Sequence, residues 1–224
     1  MGHIRMGAPK ELILKLLERL PADCFVETGT FMGGTTEWAA SHFQKVITIE
    51  VNPEISRTTS RRLAHLINIE FVIGNSAEVL PTIAKRLAGA TVFWLDGHYC
   101  GPGTGADIDE CPIVAEVEAL KSCVNPIILI DDARCFLGPP PPPHKSEHWI
   151  GIDDLFNLLW KNFPNHVTTI LDDVVVCVPK MLKPVLDEDW HSNFAERYPF
   201  SSTQSGVFPR LTNFARRVLA RLGN

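Results

Sequence analysis

Cys24-Phe25-Val26-Glu27-Thr28-Gly29-Thr30-Phe31-Met32-Gly33-Gly34-Thr35-Thr36 runs from a short apolar, β-forming stretch through a glycine-containing turn into the start of a helix. Gly29 permits the tight turn, and Gly33 and Gly34 let a ligand or a strand approach the helix start. Thr35 and Thr36 can offer hydroxyls and backbone N–H groups to a carboxylate there. The spacing is E-x-G-x-x-x-G, not the G-x-G-x-x-G of a pyrophosphate-binding turn. A glutamate at its head repels a pyrophosphate and suits a cationic ligand. Glu50 closes the next strand about twenty residues on, where an acidic side chain can accept hydrogen bonds from a ribose diol.

Outward from that turn, apolar runs alternate with helical periodicity. Leu12, Ile13, Leu16, Leu17 and Leu20 predict an opening helix that stops at Pro21. Further strands are predicted at Val46–Ile49, Ile69–Ile73, Val92–Leu95 and Ile127–Ile130, the last uniformly apolar as for a strand covered on both faces. Helices are predicted from Pro53 to about Leu66, through Val79, Ile83 and Leu87, through Ile113, Val114, Val117 and Leu120, and from Ile152 to Lys161. Val167–Ile170 and Val174–Val178, separated by Asp172 and Asp173, predict a closing hairpin. The fold class is therefore α/β: a doubly wound, mainly parallel, seven-stranded sheet with an antiparallel closing strand. Residues 1–180 are expected to form this domain. Residues 181–224, with Trp190, Phe194, Tyr198, Phe200 and Phe208 and a basic amphipathic segment from Leu211 to Leu222, are expected to pack on it or on a neighbouring subunit.

Composition removes several classes. The 224 residues are 45% apolar and 21% charged, ordinary for a globular chain. A net charge of −5 disfavours a general nucleic-acid binder, which needs surplus Lys and Arg against phosphate. No apolar run approaches the roughly 18–20 residues that span a bilayer, and Met1–Lys10 lacks the apolar core of a signal peptide. The 6 cysteines show no C-x-x-C pair and are expected to be reduced thiols of a cytosolic protein. No membrane partner is expected.

The sulfonium and ammonium groups of S-adenosylmethionine match the glutamate-headed turn better than NAD does. VETGTFMGG after the first strand, TIEVNPE closing the second, GNSAEVLP after the third and FWLDGHY closing the fourth resemble, in that order, the class I S-adenosylmethionine-dependent methyltransferases. The resemblance runs from about Cys24 to Pro179. It implies that the first turn (Glu27, Thr28, Gly29, Thr30, Gly33, Thr35) holds the methionine moiety, that Glu50 holds the ribose, and that Asn75 and Ser76 lie beside the adenine. Many relatives carry aspartate where Asn75 stands.

Asp96 closes the fourth strand, and Asp131 and Asp132 close the fifth. Like charges ~4 Å apart repel by roughly 4 kcal/mol per pair at an intermediate dielectric. A divalent cation relieves that conflict, and an all-oxygen set suits Mg²⁺, Mn²⁺ or Ca²⁺. Asp96, Asp131 and Asp132 also resemble the metal triad of the macrocin and aminocoumarin sugar O-methyltransferases. That resemblance implies a metal on the acceptor hydroxyls and a general base two residues after the first aspartate. Here the position is His98, where the family commonly has aspartate; imidazole, with a pKa of about 6.5, can accept a proton at neutral pH. Asp96 could instead contact the ammonium group of the cofactor with no metal. His98, Cys100 and Cys111 match structural zinc spacing poorly.

Two loops leave the same sheet edge. Tyr99–Glu110 carries Gly101, Gly103 and Gly105. Phe136–Gly151 carries Pro139–Pro143, a semi-rigid spacer, and is expected to form a lid over the acceptor. Arg134, His144, His148 and Trp149 are its candidate substrate contacts, Trp149 by stacking on a sugar or aromatic ring. The leading expectation is a metal-dependent O-methyltransferase of a small hydroxylated natural-product-like acceptor. A metal-independent transferase using His98, an NAD-linked oxidoreductase and a non-catalytic S-adenosylmethionine-binding module are the alternatives. A homo-oligomer would use the terminal helices.

Overall fold

The computed structural model describes residues 7–98 and 109–194. The chain falls into two compact units, Met1–Trp190 and His191–Asn224, and all but the end of the last helix below belongs to the first. Most of the Tyr99–Glu110 loop, and the aromatic and basic stretch from Tyr198 to Leu222, lie outside the described residues.

Seven strands, β1 (Cys24–Thr28), β2 (Lys45–Glu50), β3 (Ile69–Ile73), β4 (Thr91–Leu95), β5 (Ile127–Ile130), β6 (His166–Leu171) and β7 (Val174–Pro179), form one sheet in the order β3-β2-β1-β4-β5-β7-β6. The first five are parallel; β7 is antiparallel to both β5 and β6. This is the expected sheet, and it differs from the dinucleotide-binding order 3-2-1-4-5-6 through the antiparallel strand between the fifth and sixth.

Period-two side-chain alternation builds a core on each face. Val26, Ile47, Ile49, Phe93, Leu95, Ile128 and Ile130 share one face with the buried sides of three helices: α4 (Ser76–Ala84), α5 (Ile113–Ala119) and α7 (Ile152–Asn162). Phe25, Val46, Val92, Trp94, Ile127 and Leu129 share the other with α1 (Lys10–Arg19) and α8 (Lys183–Ser192). Lys15 Nζ of α1 donates to the buried Asp189 of α8 at 2.8 Å. The remaining helices are α2 (Gly34–Ala40), α3 (Pro53–Arg62) and α6 (Ala133–Leu137).

Local chemistry sets the helix starts. Asn52 accepts from the N–H groups of Glu54 (2.9 Å) and Ile55 (3.3 Å), with Pro53 in the first turn where no N–H is needed. Asn75 caps α4 through Ala77 N–H at 3.0 Å. Two helices end earlier than expected. Helix α4 stops at Ala84, and Leu87 packs on the core from beyond its end. Helix α3 stops at Arg62 instead of Leu66: past Leu63 the N–H groups of Ala64 and Leu66 turn to the carbonyls three residues back, Arg61 and Leu63, and Asn68 then donates to the carbonyls of Ala40 (2.8 Å) and Phe43 (2.9 Å). Within residues 181–224, expected to pack on the domain or on a neighbouring subunit, the structure forms α8 over Lys183–Ser192. Val185 and Leu186 bury on α1's side of the sheet, and Pro184 sits in the first turn, where proline is tolerated.

Candidate active site

The parallel register places the site. Thr28, Ile49, Leu95 and Ile130 form one row across β2, β1, β4 and β5. The next residue on each strand or in the loop that follows it is Glu50, Gly29, Asp96 and Asp131, so these emerge together at the carboxyl edge. Strand order reverses between β1 and β4, where such sheets open a crevice.

Glycine is required at Gly29. Its φ is +86°, and a Cβ there would stand 2.2 Å from the Asp96 carbonyl oxygen. Beneath this turn Glu27 is almost wholly buried. Thr36 and Thr48 both donate to its Oε1, Thr48 at 2.9 Å, and Thr30 meets Thr48 at 2.6 Å. Burial pushes the Glu27 carboxyl up to about 7 against those two hydroxyl donors, with the charge of Glu50 adding to the rise. Glu50 is oriented by the backbone: its two oxygens accept from Phe31 N–H and Asn52 N–H, each at 3.0 Å. Phe31 is held at a left-handed φ of 43°, its carbonyl accepting from Thr59 at 2.7 Å. Its side chain is exposed, as are those of Met32, Val51 and Ile73 near the same edge.

Thr28 ties the first turn to the fourth strand. Its hydroxyl and its carbonyl accept from Asp96 N–H at 3.1 and 3.2 Å. A Cβ on Gly97 would meet the Thr28 hydroxyl at 3.0 Å and Glu116 Oε1 at 3.3 Å. Glu116 on α5 is fully buried facing the Ser76 and Thr28 hydroxyls, and burial raises its carboxyl. The Asn75 oxygen is engaged in capping α4, while Ser76 is buried beside Glu116. Gly33 caps α2 at φ +70°, with Thr35 in the first turn that follows.

On the other side of the crevice four aspartates meet a histidine and an arginine. Asp131, nearly buried, accepts from Asp132 N–H at 2.8 Å, and Asp132 itself is left-handed at φ 55°. Burial, then the charges of Asp131 and Asp132, push Asp96 up to about 8, with His98 opposing. Burial with the charge of Asp132 pushes Asp131 to about 6. His98 is 6% exposed, its Nε2 3.4 Å from Asp132 Oδ2 and 3.9 Å from Asp96 Oδ1. Burial alone would lower its pKa, but Asp132, Asp96 and Glu116 raise it.

Among the described residues, candidate ligand atoms gather most tightly at Asp131, Asp132 and Asp173, all within 4.8 Å of one another. Asp96 lies outside that group but within its field. Asp173 arrives through the hairpin, since Val175 of β7 pairs with Ile130 and the antiparallel step brings Asp173 level with Asp132. Arg134 lies between: its guanidinium reaches Asp132 Oδ1 at 2.7 Å and also pairs with Asp173, which accepts from Arg134 N–H at 3.0 Å. The all-oxygen set and the upward push on Asp96 and Asp131 fit a hard cation, with Arg134 already neutralising part of the charge.

Trp149 is buried, not open at the mouth. Its indole packs edge-on to His98 at 5.7 Å and against Phe136 at 6.0 Å, and its N–H donates to Glu110 at 3.2 Å. His148 Nδ1 accepts from Glu110 N–H at 3.2 Å. Arg134, His148 and Trp149 are thus engaged with protein groups around the site. Asp173, Glu110 and Glu116 were not singled out from sequence. Only Glu116 left a signal, as a carboxylate three residues after Ile113 within an apolar helical stripe.

No protein-family model matches the chain, and no curated protein matches it. Solved structures do match in fold. A candidate caffeoyl-CoA O-methyltransferase from Staphylococcus aureus aligns over 79% of this chain and 86% of its own, at 16% identity and a TM-score of 0.56. A candidate rRNA methylase from Clostridium thermocellum aligns over 79% and 99%, at 11% identity and a TM-score of 0.52. A candidate methyltransferase from Streptococcus mutans, in complex with S-adenosylhomocysteine, aligns over 78% and 99%, at 12% identity and a TM-score of 0.50. The fold is that of the class I S-adenosylmethionine-dependent methyltransferases. These names alone run from a caffeoyl-CoA O-methyltransferase to an rRNA methylase, so the fold does not name the substrate.

Proposed function

We propose that this chain is an S-adenosylmethionine-dependent O-methyltransferase acting on a small hydroxylated acceptor, a sugar or a phenol. The observation that carries the reading is the shared edge: a glutamate-headed glycine turn and an oriented Glu50 stand beside a carboxylate cluster holding a buried imidazole. The cofactor, when bound, supplies a methyl group on a positively charged sulfur. Glu50, fixed by two backbone N–H groups, has free lone pairs for a ribose diol. Glu27 and Asp96, both pushed upward by burial, mark a site short of positive charge, as a sulfonium and an ammonium would require. His98 takes the acceptor proton, and Asp132, Asp96 and Glu116 stabilise the imidazolium that results.

Asp96, Asp131 and Asp132, with Asp173 alongside, are the residues that would hold a divalent cation such as Mg²⁺, whose chemistry there would be to acidify an acceptor hydroxyl. Arg134 favours a second reading. Its bridge between Asp132 and Asp173 places a permanent cation in the cluster, and His98 would then work without a metal.

Calorimetric titration of EDTA-stripped protein with Mg²⁺ separates the two readings. A saturable signal lost in Asp131→Ala and Asp132→Ala supports the metal-dependent enzyme, and its absence supports the arginine-balanced one. Transfer of label from methyl-labelled cofactor to a panel of sugars and phenols, abolished in His98→Gln, supports O-methylation. Transfer undiminished in that variant would remove His98 as the base.

A further inference from the structure

Glu110 precedes α5, and the residue is only 5% exposed. Its Oε2 accepts from Lys145 N–H at 3.0 Å and from the Trp149 indole N–H at 3.2 Å, and lies 3.4 Å from His144 Nδ1. Its own N–H reaches His148 Nδ1. Four residues between 144 and 149 therefore converge on one glutamate that belongs to a different part of the chain. Burial opposes its charge, but the Trp149, Lys145 and His144 donors hold the carboxyl below its ordinary range.

Trp149 passes that anchoring on. An indole is a broad apolar plate with a single polar handle, and fixing the handle fixes the plate. Here the plate stands against His98 at 5.7 Å and Phe136 at 6.0 Å, and Phe136 also meets His98 at 6.2 Å. His98 thus has aromatic rings against it, while its Nε2 faces Asp132 and Asp96. Rotation of the indole would open room for the imidazole to turn from the carboxylates.

We infer that Glu110 is a positioning residue: by holding the indole N–H of Trp149 it fixes the aromatic wall that keeps the His98 ring aimed at Asp132 and Asp96. Its catalytic meaning rests on the reading of His98 as the proton acceptor, but the Glu110–Trp149–His98 relay does not.

Nuclear magnetic resonance on the full chain reads the relay without a substrate. The Trp149 indole N–H and the His98 ring C–H signals are assigned by their loss in Trp149→Phe and His98→Gln. At fixed pH, Glu110→Ala should shift both, the His98 signals through the changed ring current of Trp149, and should speed solvent exchange of the indole proton. Glu110→Gln keeps the shape and one neutral acceptor. It should shift both signals less, in the same direction, and supplies the readout if the alanine variant does not fold. In a Trp149→Phe background, Glu110→Gln should move the His98 signals no further. Unmoved His98 signals in the Glu110 variants, or an undiminished shift in the Trp149→Phe background, would overturn the relay. Titration of wild type and Glu110→Gln with S-adenosylhomocysteine should give the same Kd. Failure of the wild type to bind it would remove the methyltransferase reading, with the resonance shifts still deciding the relay.

Discussion

Two residues carry the turn over the first strand in different ways. Gly29 is a steric necessity: alanine would face both a φ of +86° and a carbonyl oxygen 2.2 Å away. Gly29→Ala should therefore lose about 2 kcal/mol or more by denaturant unfolding, beyond the usual cost of alanine at positive φ. Glu27 is an electrostatic liability in the free protein. Its folded pKa of about 7 lies above the ordinary 4.5, so the folded state binds the proton more tightly than the unfolded one. The stability this contributes is full below the unfolded value and is lost as pH rises through about 7. Glu27→Gln should thus match wild type in acid and exceed it near pH 8 by roughly 3 kcal/mol, read from unfolding curves at each pH. The glycine and Glu50 were legible because spacing alone marks a turn and a strand end. Asp173 was not: beside Asp172 it reads as a turn residue, and only the β5–β7 register brings it to Asp132.

At the level of elements, the β6–β7 hairpin contributes to the site as well as closing the sheet. It delivers Asp173 to Arg134, and Ala133 N–H donates to the Asp173 carbonyl at 2.8 Å, so α6 starts on the hairpin turn. Arg134→Ala would leave the buried Asp173 without its charge partner. Because the guanidinium is 39% exposed and solvent-screened, the expected loss is about 1–2 kcal/mol, below that of a fully buried pair. The same variant should bind Mg²⁺ more tightly than wild type if guanidinium and metal compete for Asp132, and calorimetry on both proteins measures it. All seven strands were legible, since a short apolar run is a local signal, but β1 runs on through Glu27 and Thr28, polar residues whose burial is set by the neighbouring strands. Short α6 and proline-flanked α8 were not, because five residues after Asp132 give no period and Pro179 and Pro184 mask the Leu182, Val185, Leu186 stripe.

For the whole molecule, the order β3-β2-β1-β4-β5-β7-β6 turns separate sequence signals into one site. Residues from Glu27 to Asp132 span most of the domain, yet parallel register sets Gly29, Glu50, Asp96 and Asp131 at one edge. What the acceptor is depends on loop side chains whose partners are tertiary. Trp149, read from sequence as a stacking platform, turns its N–H to Glu110 and its ring to His98. The most direct measurement is calorimetric titration of wild type and Glu50→Ala with S-adenosylhomocysteine. Micromolar binding by the wild type, weakened at least about tenfold in Glu50→Ala, or roughly 1.4 kcal/mol, is the predicted result. No binding by the wild type, or equal binding by a folded Glu50→Ala, would contradict the site described above.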